Sequence, residues 1–181
     1  MGQIHAALLA QATGRPVKIL YDRAESLLAH PKRHATQIRV KFGAMKDGRI
    51  VAAESELFGD TGAYASLGAE VLERAAGHAT GAYFVPHVDI ESKAVYTNNI
   101  PCGAMRGFVV NQVTFAMEGC IEQLCARGGF DPWQFRFDNV LKTGDRTASG
   151  QVLGEGVGLQ ETLLAVKEDF DRAKIAGLAC G

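Results

Sequence analysis

Residues 37 to 43, Gln37-Ile38-Arg39-Val40-Lys41-Phe42-Gly43, alternate apolar and polar side chains one by one. That period of two sends Ile38, Val40 and Phe42 to one face of an extended chain and Arg39 and Lys41 to the other. Lys46-Asp47-Gly48 then supplies turn chemistry, and residues 50 to 58 resume as a second strand. Residues 37 to 58 therefore read as a β-hairpin.

Working outward, Gly59-Asp60-Thr61-Gly62-Ala63-Tyr64 is glycine-rich but matches neither a P-loop nor a dinucleotide fingerprint. A bend leaving the strand is the favoured reading. Residues 67 to 79 read as helix or loop. Glu70 and Arg74 stand four apart there, the spacing of a helix-surface ion pair. Residues 88 to 96 read as a strand. A helix follows near residues 113 to 124, with Val113, Met117, Cys120, Ile121 and Leu124 along one face. Gly128-Gly129 stops it. Asp131-Pro132 is an N-cap followed by a proline at the first helical position. The helix so opened turns Trp133, Phe137, Val140 and Leu141 inward, and Gly144-Asp145 closes it. Residues 143 to 158 read as loop. A last amphipathic helix starts near Leu159, with Leu163, Val166 and Phe170 at core spacing.

Upstream of the hairpin, the first dozen residues read as a helix ended by Gly14. Its scarcity of polar side chains predicts burial. Residues 17 to 21 predict a short internal strand, and Asp22 to Leu28 a turn or short helix. The fold class is α+β: a mixed sheet with an antiparallel hairpin and packed helices. The alternation of elements is too irregular for a doubly wound sheet. The chain of 181 residues, 47% of them hydrophobic, can bury a substantial core as one domain or as two lobes, 1–97 and 98–181.

A formal net charge of -1 gives no electrostatic case for nucleic acid or an anionic membrane. No apolar run approaches a membrane span, and no signal peptide is recognisable, so a cytoplasmic location is expected. Cys102, Cys120, Cys125 and Cys180 form no C-x-x-C pair, and reduced thiols are the expectation. No iron–sulfur or zinc site is expected within the chain.

The richest chemistry lies in the irregular stretch 98–108, Asn98-Asn99-Ile100-Pro101-Cys102-Gly103-Ala104-Met105-Arg106-Gly107-Phe108. Gly103 and Gly107 allow sharp bends and close approach. Arg106 carries a flat, permanently charged fork of donors, and Phe108 an apolar plate. Together they suggest a site for a flat polar ligand. A plain Gly/Pro connection with a surface arginine remains the alternative on local chemistry alone.

Ala104-Met105-Arg106-Gly107-Phe108 with Gln112 resembles the A-F-R-G-[FY]-G-x-x-Q loop of the molybdenum hydroxylases, the xanthine dehydrogenases and aldehyde oxidoreductases. Thr13-Gly14-Arg15-Pro16-Val17, Lys46-Asp47-Gly48-Arg49-Ile50 and Asp60-Thr61-Gly62-Ala63-Tyr64 resemble further family motifs in the same order. So does Gly129-Phe130-Asp131-Pro132 with Arg136, Asn139 and Gly144-Asp145. The resemblance covers roughly residues 6 to 152 of the chain.

That resemblance implies part of a molybdopterin-binding large subunit, with the cytosine dinucleotide form of the cofactor left open. It implies hydroxylation of a purine or related N-heterocycle, or an aldehyde, with oxygen from water. Iron–sulfur clusters and FAD are then expected on other domains or subunits. The remaining large-subunit segments and a small-molecule substrate complete the expected partners. Met105, Arg106 and Gly107 would border the cofactor, and Phe108 would stack on the substrate. Arg74, within Val71-Leu72-Glu73-Arg74-Ala75, would bind the substrate and stabilise charge developing on a purine. Two departures stand out: Met105 replaces a phenylalanine, and Val109 replaces the glycine after the aromatic. No glutamate here matches the family's catalytic base. A fragment, or a subunit completed by another chain, without turnover of its own, is therefore expected; a structural module is the remaining alternative.

Overall fold

The computed structural model of the chain describes residues 2–173 and residue 180. Strand β1 (Thr36–Ala44) and strand β2 (Ile50–Gly62) form the expected antiparallel hairpin, in register from Thr36 opposite Gly59 to Gly43 opposite Ala52, with a shift at Gly43/Ala44 that sets Ala44 opposite Ile50. Its turn is closed by Gly48 N–H donating to the Met45 carbonyl (2.9 Å). Gly48 has φ 88, the left-handed region that favours glycine. Strand β3 (His87–Tyr96) lies parallel to β2 on its other side, so the sheet order is β1-β2-β3 and the sheet is mixed.

A parallel neighbour requires a crossover, and α3 (Gly68–Gly77) provides it. Its Val71, Leu72 and Ala75 pack with Leu57 of β2. The helix sits so close that a Cβ on Gly59 would lie 2.4 Å from the Leu72 side chain. The opposite sheet face carries Arg39–Glu56 (3.1 Å) and Lys41–Glu54 (2.6 Å) ion pairs. Such exposed pairs mark a solvated face and add little stability.

The long helix α4 (Val110–Gly128) ends at Gly129, φ 70, as the glycine pair predicts. Its Val113, Met117 and Ile121 are buried on the expected face. In α5 (Pro132–Asn139) the Asp131 carboxylate accepts from Gln134 N–H (2.7 Å), and Pro132 occupies the first turn. Helix α6 (Leu159–Arg172) docks through Leu163, whose carbonyl accepts from Trp133 Nε1 (3.0 Å). The main core joins Ile50 and Ala53 of β2 to Met117, Ile121, Trp133 and Leu163.

Buried polar groups hold these layers in register. The Arg136 guanidinium, fully buried, donates to Glu118 from Nε (3.1 Å) and Nη2 (2.8 Å) and to Glu122 (2.7 Å). Tyr83 donates its hydroxyl to the other Glu118 oxygen (2.7 Å). Burial first, and the Glu118 charge second, push the Tyr83 pKa far above its ordinary value, so the phenol stays a donor. Asn139 ties the hairpin turn to α5: its Oδ1 accepts from Ile50 N–H (2.8 Å), and its Nδ2 donates to the carbonyls of Gly48 (2.9 Å) and Phe135 (2.8 Å). Asn139→Ala would strand buried backbone groups at Ile50 and Gly48. We expect a loss of about 2–3 kcal/mol, read as a lowered denaturant midpoint. A loss below about 0.5 kcal/mol, the scale of an ordinary surface change, would contradict this role.

Four expectations are corrected. Helix α1 (Gly2–Thr13) forms, but none of its residues is buried, and Ile4 is 64% exposed. Its large apolar side chains, Ile4, Leu8 and Leu9, all stay exposed. Residues 17 to 21 form no strand, and Leu20 is 82% exposed. No other strand lies alongside them among the described residues, so no ladder can close. Helix α5 stops at Asn139, with Val140 as its cap, rather than at Gly144-Asp145. Val166 of α6 stays exposed instead of facing the core. Before the hairpin, α2 (Arg23–Ala29) is a true helix opened by an Asp22/Glu25 capping box.

Candidate functional site

The irregular stretch after β3 is fastened from beneath. Asp60, near the end of β2, accepts from Thr97 Oγ1 (2.6 Å), Asn99 Nδ2 (2.5 Å) and Gly62 N–H (2.7 Å). The hydrogen bonds from Thr97 and Asn99 hold its carboxyl below the usual range. Gly62, φ 74, lets the chain pass so close that a Cβ there would lie 2.4 Å from the Ile100 carbonyl oxygen. Further along, Cys102 N–H donates to Thr61 (2.9 Å) and Gly103 N–H to Lys32 (3.0 Å). The Cys102 thiol is buried, and burial raises its pKa, which makes it a packing group rather than a thiolate.

Past Gly103 the restraints end. Among the described residues, the backbone N–H groups of Ala104, Met105, Arg106 and Gly107 donate to no protein acceptor. Met105, Arg106 and Gly107 are exposed, and Arg106 forms no ion pair among the described residues. The loop closes through Phe108 N–H donating to the Met105 carbonyl (2.8 Å). Gly107, Phe108 and Val109 then all take positive φ, at 89°, 46° and 71°. Val109 is buried in the cluster with Leu57 and Val71, whereas Phe108 is only half-buried. At the base of the loop, Gln112 Nε2 donates to the His34 carbonyl (3.1 Å), while its buried Oε1 has no partner.

Phe108 faces an open cavity of about 590 Å³. Its floor is one side of α3: Glu70, Glu73, Arg74, Gly77 and His78, at the three- and four-residue spacing of a helix face. Ser149 and Gln151 form the opposite wall. The loop carrying them is braced by Thr147 N–H donating to the Gln151 carbonyl (2.9 Å) and Arg146 Nη1 to the Gly150 carbonyl (2.9 Å). The fold therefore brings Arg74 and Phe108 to one cavity. Met105, Arg106 and Gly107 stand beside it, outside its lining. The alternative Glu70–Arg74 ion pair does not form; among the described residues the Arg74 guanidinium has no carboxylate partner. The sequence reading missed His78, Ser149 and Gln151. His78, four residues beyond Arg74, was accessible from helical spacing; the wall residues depend on long-range folding.

Residues 1–140 match the family model described as the molybdopterin cofactor-binding domain. The chain is 46% identical over 166 residues to the nicotinate dehydrogenase large molybdopterin subunit of Eubacterium barkeri, covering 92% of this chain and 39% of that protein. It is 43% identical over 143 residues to a probable xanthine dehydrogenase subunit of Bacillus subtilis, covering 79% of this chain and 19% of that protein. The structure superposes on the aldehyde oxidoreductase from Desulfovibrio gigas with a TM-score of 0.84 at 31% identity, covering 91% of this chain and 18% of that one. The chain thus spans well under half the length of the relatives it matches. Over that span the fold, the order of motifs and the family model agree, and the chain belongs to the molybdopterin cofactor-binding domain family of molybdenum hydroxylases.

Proposed function

We propose that this chain forms the substrate-facing part of a cytoplasmic molybdenum hydroxylase that oxidises a purine or related N-heterocycle with oxygen from water. The observation that carries this reading is the meeting of Arg74 and Phe108 at one open cavity, beside a loop with four free backbone donors.

The residues fit the cofactor in kind. No group of three or more His, Cys, Asp or Glu side chains poised to hold a metal occurs among the described residues. The free N–H groups of residues 104 to 107 and the unpartnered Gln112 Oε1 are suited to the polar edge of an organic cofactor. When bound, molybdopterin supplies the two-electron redox chemistry and the activated oxygen. The chain's own residues orient the substrate. Phe108 offers a flat face against which a ring can stack. Arg74 presents a guanidinium where negative charge grows on a ring heteroatom away from the reacting carbon. The exposed Ile4, Leu8, Leu20 and Leu28 suit burial against the remaining large-subunit segments. Partners bearing iron–sulfur clusters and flavin would carry electrons onward.

Substitution of Phe108 tests the assignment. In the assembled enzyme, Phe108→Ala should lower kcat/KM several-fold, since aromatic pairing contributes on the order of 1 kcal/mol beyond area burial. Molybdenum content per enzyme should hold. Loss of the cofactor with normal turnover per remaining molybdenum would assign Phe108 to the cofactor instead.

A further inference from the structure

We infer that the cavity selects neutral, N–H-bearing heterocycles and rejects anionic heteroaromatic carboxylates, and that Glu70 and Glu73 enforce this choice. The inference rests on the proposed function and narrows it to one charge class of substrate.

The argument begins with the cavity's charges. Two carboxylates, Glu70 and Glu73, line the same helix face as the single guanidinium of Arg74. Neither is neutralised by an ion pair among the described residues. Among the residues that line the cavity, a substrate carboxylate thus meets more like charge than opposite charge; Arg106 stands outside that lining. Within about 8 Å, the Debye length at physiological ionic strength, such charges are felt.

The hydrogen-bonding groups lean the same way. His78 Nδ1 lies 2.9 Å from the Arg74 carbonyl oxygen, which can only accept, so Nδ1 carries the proton and donates. In the neutral ring Nε2 is then left as an acceptor. Glu70 and Glu73 offer only lone pairs to the cavity, and His78 adds one when its ring is neutral. Gln151, whose side-chain amide bonds to no protein group among the described residues, offers one acceptor and two donor hydrogens. A ring with N–H donors and a neutral carbonyl satisfies this set; a ring carboxylate leaves the acceptors facing an acceptor. The likeness to a nicotinate dehydrogenase would favour the opposite preference, so the cavity's own residues and the relative's name make separable predictions.

The test compares hypoxanthine and nicotinate in the assembled enzyme by steady-state kcat/KM. Hypoxanthine should be preferred by about tenfold or more at low ionic strength, with the gap narrowing as salt is added. The Glu70→Gln/Glu73→Gln double variant should move the ratio toward nicotinate by roughly tenfold, and its ratio should lose most of its salt dependence. Preference for nicotinate in the wild-type enzyme would overturn the inference. So would a ratio that neither the double variant nor salt changes. Turnover of aldehydes with neither heterocycle accepted would instead sink the proposed function itself, and this inference with it.

Discussion

Replacing Arg74 by methionine in the assembled enzyme is expected to cut purine turnover by roughly 10²-fold or more, the scale of losing one preorganised oxyanion donor. Oxidation of an aldehyde by the same variant should change far less. The difference follows from where charge accumulates. Attack on a purine pushes electrons onto a ring heteroatom remote from the reacting carbon, within reach of a fixed cation. An aldehyde concentrates charge on the one oxygen at the reacting carbon and gains nothing from a distant guanidinium. Because Arg74 has no carboxylate partner among the described residues, its charge is not spent on α3. Its interaction would thus be stronger in the transition state than in the ground state, and the loss should fall on kcat. Steady-state assays on both substrate classes decide it; equal small changes would remove the purine assignment.

The second large effect concerns stability. Arg136→Met should destabilise the protein by about 3–5 kcal/mol, the range for breaking a buried ion pair from one side. The methionine approximates the volume of the lost side chain, so cavity formation contributes little. What remains is Glu118, almost fully buried, with Tyr83 as its one hydrogen-bond donor among the described residues. Chemical denaturation of the intact protein measures the loss. Glu118→Gln in the Arg136→Met background should recover part of it, because a neutral amide carries no uncompensated charge. A single-variant loss under about 1 kcal/mol, the range of surface pairs, would show that solvent reaches the pair.

What could be read from the sequence divides along physical lines. The hairpin was legible because alternation and turn chemistry are local and agree: Ile38, Val40 and Phe42 set the face, and Gly48 the turn. The start of α5 was legible because Asp131 and Pro132 act on neighbouring backbone groups. The failures involve surfaces and partners far along the chain. Residues 17 to 21 have strand composition, but a strand exists only beside another, and composition does not say which. The same limit hid the burial state of α1. In the candidate site, Arg74 and Phe108 were found through motifs, while their meeting at one cavity was not visible in either. Ser149 and Gln151 went unnoticed because a Gly/Ser-rich loop offers no periodicity. Glu118 resembles any polar residue on a helix until Arg136 and Tyr83 arrive from other elements.

Val109 departs from the glycine of the resembling motif yet keeps a left-handed backbone, φ 71. For a β-branched residue that geometry costs on the order of 1–3 kcal/mol, and it persists because the side chain is buried against Leu57 and Val71. Burying a valine contributes a comparable amount, about 1.5–3 kcal/mol. The result is a lever with its short arm clamped in the hydrophobic cluster and its long arm, Phe108, held over the cavity. A glycine at the pivot would leave that arm held only by its own packing against the same cluster. With valine, the tilt of the aromatic plate is set by how tightly α3 and β2 close on the pivot, so the wall that meets the ring and the core that keeps the protein folded form one mechanical part.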